Sequence, residues 1–392
     1  MLMRLPLMLA RFLHNGRLRL LFLGLVVLLV GSILLTYKWR EDVQFCFMGR
    51  EQPEPQVIGP LTDTNVNIPR ILDDVLLTEP KPVPGRSIFF HETSCHRPKR
   101  KRQRPGQSFD TQYNMLQLTA RQSCAIESAA LHNPNFHVFV LFAGPTYRHS
   151  DNNSQHQQPL IDALLSYKNV QLRQLNLWRY AKGTPIEDWL NDGKLFRSSY
   201  LFSHISDFLR FLTLYRYGGL YLDMDVVMLR SIEDVPPNFT GAESNTHLAA
   251  GVMSFAATGF GHEMADLCLR DFINNFDGSD WGNNGPGVIT RVAQAICGTK
   301  DITLMLEDRK RCLGFKIFDR NAFYAVPWKH WRHFFEPQLL EQTLAHTKDS
   351  ILVHVWNKHS KQQAIKVGSS TAYGKYAEQH CPRSYAAAGE YF

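Results

Sequence analysis

Two aspartates carry the strongest chemical signal in this chain. They close the run Gly218-Gly219-Leu220-Tyr221-Leu222-Asp223-Met224-Asp225. Residues i and i+2 of a strand face the same way, so Asp223 and Asp225 are predicted to converge at a strand's C-terminal end. Like charges held close need a cation between them. Carboxylate and phosphate oxygens together suit a hard divalent ion. Taken alone, the triplet fits a turn or an acidic surface equally well.

The segment before it is Ser203 to Tyr217, apolar on most sides and so predicted to be a buried helix. Ser203 or Ser206 is its expected N-cap and Gly218 its expected stop. Asp207 and Arg210, three residues apart, share a face. Charges on an apolar helix need partners: either each other, or a ligand diphosphate or sugar at the helix edge.

The run SDFLRFLTLYRYGGLYLDMD resembles the signature of DxD glycosyltransferases of GT-A fold. More narrowly, the chain resembles the lactosylceramide 4-alpha-galactosyltransferase group and its arthropod N-acetylgalactosamine-transferring relatives. Supporting runs are Cys124 to Ala130, Leu269 to Phe272, Trp281 to Gly287, Pro327-Trp328 and His354 to Lys358. The resemblance spans roughly residues 86 to 385. It implies a retaining transfer of galactose or N-acetylgalactosamine from a UDP donor to a glycosphingolipid such as lactosylceramide. Asp223 and Asp225 would hold Mn²⁺ or Mg²⁺, with His354 as a further metal ligand; a histidine in an apolar run is otherwise a core residue. Asp207 and Arg210 would touch the donor sugar or phosphates, with Tyr221 near the nucleotide. The loop Trp281 to Gly287 would bind sugar, Trp281 by stacking and Asn283 and Asn284 by hydrogen bonds; as turn chemistry it is equally a structural loop. Lys358 either pairs with phosphate or is a surface lysine. Ala250 stands before Gly251 where the family pattern often has Asn, implying a different donor sugar or a looser hold on it.

The N-terminus supports the same reading. Leu20 to Tyr37 is an uncharged apolar run long enough to span a bilayer, preceded by Arg4, Arg11, Arg17 and Arg19 and by no acid. Positive residues stay cytoplasmic, so the expected plan is a cytoplasmic tail (1–19), a signal-anchor (20–37), a proline-rich stem (38–85) and a lumenal catalytic domain (86–392). That is a single-pass type II protein of the Golgi membrane. The seven cysteines all follow the anchor and allow up to three bridges with one thiol over. Asn152 and Asn238 begin glycosylation sequons.

The net charge of +7 is more than accounted for by the four N-terminal arginines and the six cations of Arg97 to Arg104. No basic face for nucleic acid remains, and the cluster reads as a solvated loop. Strands are expected at 87–91, 137–142, 170–175 and 220–223, and helices at 117–132, 261–276 and 288–297. Their alternation predicts an α/β fold, a GT-A-like Rossmann-type nucleotide-sugar fold after one transmembrane helix. Ligands of such folds bind beyond the carboxyl ends of the strands. Two other functions share these features: a mannosyltransferase using a GDP donor, and an inactive anchored lectin or assembly factor.

Overall fold

The computed structural model describes residues 16–47, 69–95, 113–148, 158–308 and 310–392. The basic cluster at 97–104 and the sequon at Asn152 lie outside them. The chain divides into two units, Met1–Gly49 and Arg50–Phe392. Among its described residues the first contains one helix, Gly16–Phe47, within which the predicted anchor falls. Its large apolar side chains from Leu20 to Val30 are exposed. Among the described residues no helix is long and apolar enough to cross a membrane. The continuous stretch of described side chains in this one is 20–32, shorter than the span expected from sequence.

The second unit is built on a seven-stranded sheet. In chain order its strands are β2 (Ser87–Glu92), β3 (His137–Phe142), β5 (Val170–Gln174), β6 (Gly219–Leu222), β8 (Phe239–Ala242), β9 (Leu248–Phe255) and β10 (Lys316–Phe318). Their spatial order is β10-β8-β9-β6-β2-β3-β5. Every pairing is parallel except those of β9, which opposes both neighbours. The expected mostly parallel α/β sheet is therefore present. Two short ladders flank it: β1 (Arg70–Ile71) with β4 (Tyr147–Arg148), and β7 (Val226–Met228) with β11 (Leu352–His354). The end of the predicted stem thus pairs with the body through β1.

The central strands are apolar on both faces because both are covered. Ile88, Phe90, Val138 and Val140 share one core with Ala125, Ile126 and Ala129 of the helix Ala120–His132. The intervening Phe89 and Phe139 stack on the other face, where Tyr217 joins them. The Ala120–His132 helix begins three residues later than expected because Thr119 and Gln122 form a capping box. Cys124–Cys381 ties that helix to the C-terminal helices, Cys297–Cys312 forms a second bridge, and Cys268 is free and buried. In the second sequon, Asn238 accepts the Ala256 N–H and Thr240 is buried against Ala249 and Val252 carbonyls.

The helix that delivers the site runs from Leu201 to Tyr217. Neither Ser203 nor Ser206 caps it, contrary to expectation. The helix starts earlier, Ser198 accepts the Tyr200 N–H at 2.9 Å, and the Ser206 hydroxyl is engaged by Arg210. It does stop at Gly218. Gly218 and Gly219 have φ of 60° and 86°, and a side chain on Gly219 would collide with the Ser87 carbonyl. Only glycine takes this conformation cheaply, so the pair turns the chain straight from helix into β6, between β2 and β9.

Candidate active site

Asp223 lies one residue past β6, and its N–H donates to the Gly251 carbonyl at 2.9 Å. The two aspartates therefore sit in the turn joining β6 to β7, not on the strand as predicted. Convergence comes from a different pairing. β7 follows the turn and pairs antiparallel with β11, placing His354 opposite Val226. His354 Nε2 is then 3.1 Å from Asp225 and 3.6 Å from Asp223. One ligand atom from each of the three residues lies within 4.8 Å of the others. Two carboxylates and an imidazole form a donor set that fits a divalent ion such as Mn²⁺ or Mg²⁺. Gly251 makes room for it: a Cβ there would stand 2.7 Å from Asp223 Oδ2 and 3.3 Å from His354 Nε2.

Arg210 backs the cluster. Its guanidinium is 3.1 Å from Asp223 and 3.2 Å from Asp207, donates to the Ala250 carbonyl at 2.8 Å, and contacts Ser206. Its flat face lies 4.6 Å from the centroid of Tyr221, whose hydroxyl donates to Asp223 Oδ1 at 2.7 Å. The Asp207–Arg210 pair is thus an internal ion pair that also borders a cavity. Burial raises the Asp207 pKa to about 7, opposed by Arg210 and assisted by Asp223. For Asp223 burial acts in the same sense, but Arg210, His354 and Tyr221 outweigh it and hold the carboxyl well below its usual range. Burial lowers His354, yet the two aspartates raise it to about 10. The two carboxylates that would bind an ion thus also favour the charged form of the imidazole.

A cavity of about 580 Å³ opens over this floor. Asp207, Arg210, Asp223, Asp225 and His354 line it, as do Trp281 and Lys358. Tyr221 instead lines an adjoining pocket of about 240 Å³, with His91, Gln122 and Asn357, which shares Asp223 and Asp225. Lys358 Nζ is 3.2 Å from the centroid of the Trp281 ring, so the two residues meet above the cavity. Asn283 and Asn284 do not reach it. Asn283 is held by Arg291 and the Asn275 carbonyl, and Asn284 is buried against His204 and Asp277. Their amides shape the loop that presents Trp281, and this differs from the sugar contact expected of them.

Several lining residues carried no decisive signal in sequence. Glu243, Tyr324, Trp328 and His359 reach the cavity from separate segments that only the folded chain brings together. Glu243 offers the cavity a further carboxylate, whereas Asp280 turns its oxygen to the Gly282 N–H. Arg121 is a different omission. It is buried in the Ala120–His132 helix and donates to the Ser360 carbonyl at 2.9 Å and to the Gln363 carbonyl. It thereby holds the segment in which Asn357 donates its N–H to Asp225 Oδ2 at 2.7 Å. Trp356, at the start of that segment, takes a left-handed φ of 57°, a conformation rare for a bulky residue and common where a site over-determines it.

Comparison with known proteins agrees with this geometry. Residues 119–244 match the glycosyltransferase sugar-binding region containing the DXD motif, and residues 257–388 match the alpha 1,4-glycosyltransferase conserved region. Human lactosylceramide 4-alpha-galactosyltransferase is 30% identical over 346 residues, covering 85% of this chain and 86% of the relative. The chain belongs to the lactosylceramide 4-alpha-galactosyltransferase family. Human alpha-1,4-N-acetylglucosaminyltransferase is also similar to this member of the family, at 28% identity over 67% of this chain and 74% of the relative. Likeness to solved structures is remote: the PaToxG glycosyltransferase aligns at 13% identity with a TM-score of 0.35, over 72% of this chain and 90% of that one. The chain is a glycosyltransferase with a DXD sugar-binding region.

Proposed function

We propose that the chain is a retaining alpha-1,4-glycosyltransferase of GT-A type, moving galactose or N-acetylgalactosamine from a UDP donor to a glycosphingolipid such as lactosylceramide. It works in the Golgi membrane, anchored through residues 20–37 with the catalytic unit lumenal. The observation that carries this reading is the meeting of Asp223, Asp225 and His354 on the floor of the 580 Å³ cavity. A divalent ion bound there neutralises the charge that grows on a departing diphosphate. Arg210 and Tyr221 hold Asp223 in its ligating position. Asp207 and Trp281 face the sugar, the first as an acceptor for hydroxyls and the second as a stacking surface. Lys358 meets the phosphates from the Trp281 side.

For retention, the acceptor hydroxyl attacks on the face from which the nucleotide leaves, and the donor phosphate takes its proton. No protein nucleophile is needed. Glu243 favours a second route, because its carboxylate lines the cavity with no hydrogen bond or ion pair among the described residues. It would then form a covalent glycosyl intermediate. Glu243→Gln separates the two: activity within about tenfold of wild type supports same-face attack, and loss of about 10³-fold or more supports the nucleophile.

The deciding experiment uses the full chain in detergent with Mn²⁺, lactosylceramide, and UDP-galactose, UDP-N-acetylgalactosamine, UDP-N-acetylglucosamine or GDP-mannose in turn. Transfer from UDP-galactose or UDP-N-acetylgalactosamine, abolished by EDTA and by Asp223→Ala, is the expected result. Transfer only from GDP-mannose, or none with a folded protein, overturns it.

A further inference from the structure

The rim of the cavity carries an unusual surface. Between Asp319 and Glu336 the chain has no acid, and within that stretch Trp328-Lys329-His330-Trp331-Arg332-His333 stand in succession. They lie in two short 3-10 turns within Trp328–Phe334, broken at His330 and anchored from beneath by the buried Phe334 and Phe335. Trp328 remains 41% exposed. Its ring stacks on His359 at 5.2 Å and 17°, and both residues line the cavity. The cations lie along the aromatic rings: Arg332 is 4.6 Å from the Trp331 ring and Lys329 5.5 Å from the Trp328 ring. Neither Lys329 nor Arg332 has an acidic partner among the described residues.

Trp328 leaves part of its ring in solvent while Trp331 is half-buried against Phe335, and the unpaired cations beside them offer sites for anions. Aromatic rings flanked by lysine and arginine belong where an apolar layer meets charged headgroups. An acidic protein would satisfy the cations alone; a bilayer satisfies rings and cations together. Continuity with the cavity also fits a bilayer, because a glycolipid's sugar stands just above the headgroups.

We propose that the Trp328–His333 face seats on the headgroup layer of a phospholipid bilayer, so that the cavity opens onto the membrane and takes its acceptor sugar from a lipid still embedded there. This rests on the reading of the acceptor as a glycolipid.

The test uses the full chain in nanodiscs of phosphatidylcholine with brominated or ordinary acyl chains. Bromine quenches tryptophan at the bilayer surface. Trp328→Phe/Trp331→Phe is expected to lose a measurable share of the wild-type quenching; the same fractional quenching in both proteins overturns the proposal. This readout does not depend on transfer, so it stands apart from the proposed activity. A second variant, Lys329→Glu/Arg332→Glu, is compared on lactosylceramide in vesicles and on free lactose. About a tenfold loss on vesicles with lactose transfer unchanged is expected. Equal loss on both, or none on either, counts against the membrane face. A wild type that transfers to neither acceptor counts against the enzymatic reading instead.

Discussion

The two flanks of the DxD pair are built on opposite terms. On the Arg210 flank the guanidinium meets protein acceptors in several directions: two carboxylates, two carbonyls and a hydroxyl. On the His354 flank an imidazole faces two carboxylates across a gap that a metal ion can enter. The first arrangement fixes geometry, and the second has the donor atoms to take a cation. Buried charges left half-paired are costly, so damage to the Arg210 flank falls on folding. Damage to the His354 flank falls on ion binding.

Asp223 belongs to both flanks, and its loss is the largest expected effect. Asp223→Ala should lower transfer by about 10³-fold or more and also lower the melting temperature, read by steady-state assay and calorimetry. Arg210→Lys comes next. Lysine lacks the planar fork and leaves Asp207 short of a partner, so a stability loss of about 3 kcal/mol is expected from denaturant unfolding. His354→Ala provides the contrast: Mn²⁺ affinity falls by about 10- to 100-fold, a range borrowed from changes around metal ligands, while stability changes less than in Arg210→Lys. Equal destabilisation by the two variants would break the comparison.

Gly251→Ala sharpens it. The added methyl pushes on Asp223 and His354 together, so Mn²⁺ binding should weaken by about tenfold with the Arg210 flank intact. An unchanged titration would show that the cluster can shift aside.

The smallest effect concerns pH. His354 is raised in the folded protein to about 10. Its contribution to metal-free stability is therefore complete below the unfolded value near 6.5 and fades as pH rises toward 10. Binding an ion must displace that proton. At pH 7 Mn²⁺ binding should release close to one proton, measured by calorimetry in buffers of different ionisation enthalpy. No release would mean that His354 is not a ligand.

Much of this was legible in the sequence, for local reasons. Gly218-Gly219 announced the turn, and the apolar runs at 87–91 and 137–142 announced buried strands, because those signals depend on neighbours in the chain. The donor set was legible only in part. Asp223 and Asp225 are two residues apart, but His354 joins them through the β7–β11 ladder, a long-range pairing with no local signature. Asn283 and Asn284 misled for the reverse reason. Polar residues in a glycine-rich loop look available, and only packing shows their amides turned inward. Arg121 stands just before the Cys124 to Ala130 run without belonging to it, and no period or spacing marks either Arg121 or Glu243.

The Cys124–Cys381 bridge joins residues 257 positions apart, and its consequence is biosynthetic. Arg121, three residues before Cys124, holds the chain around Ser360 beside the DxD turn, so the floor of the site is locked by a bond whose second half is made long after the first. A nascent chain can form every strand of the sheet and still lack a finished site. A stop codon at position 381, downstream of every lining residue named here, would release an intact-looking sheet with a loose floor, and quality control would meet it as an unpaired thiol.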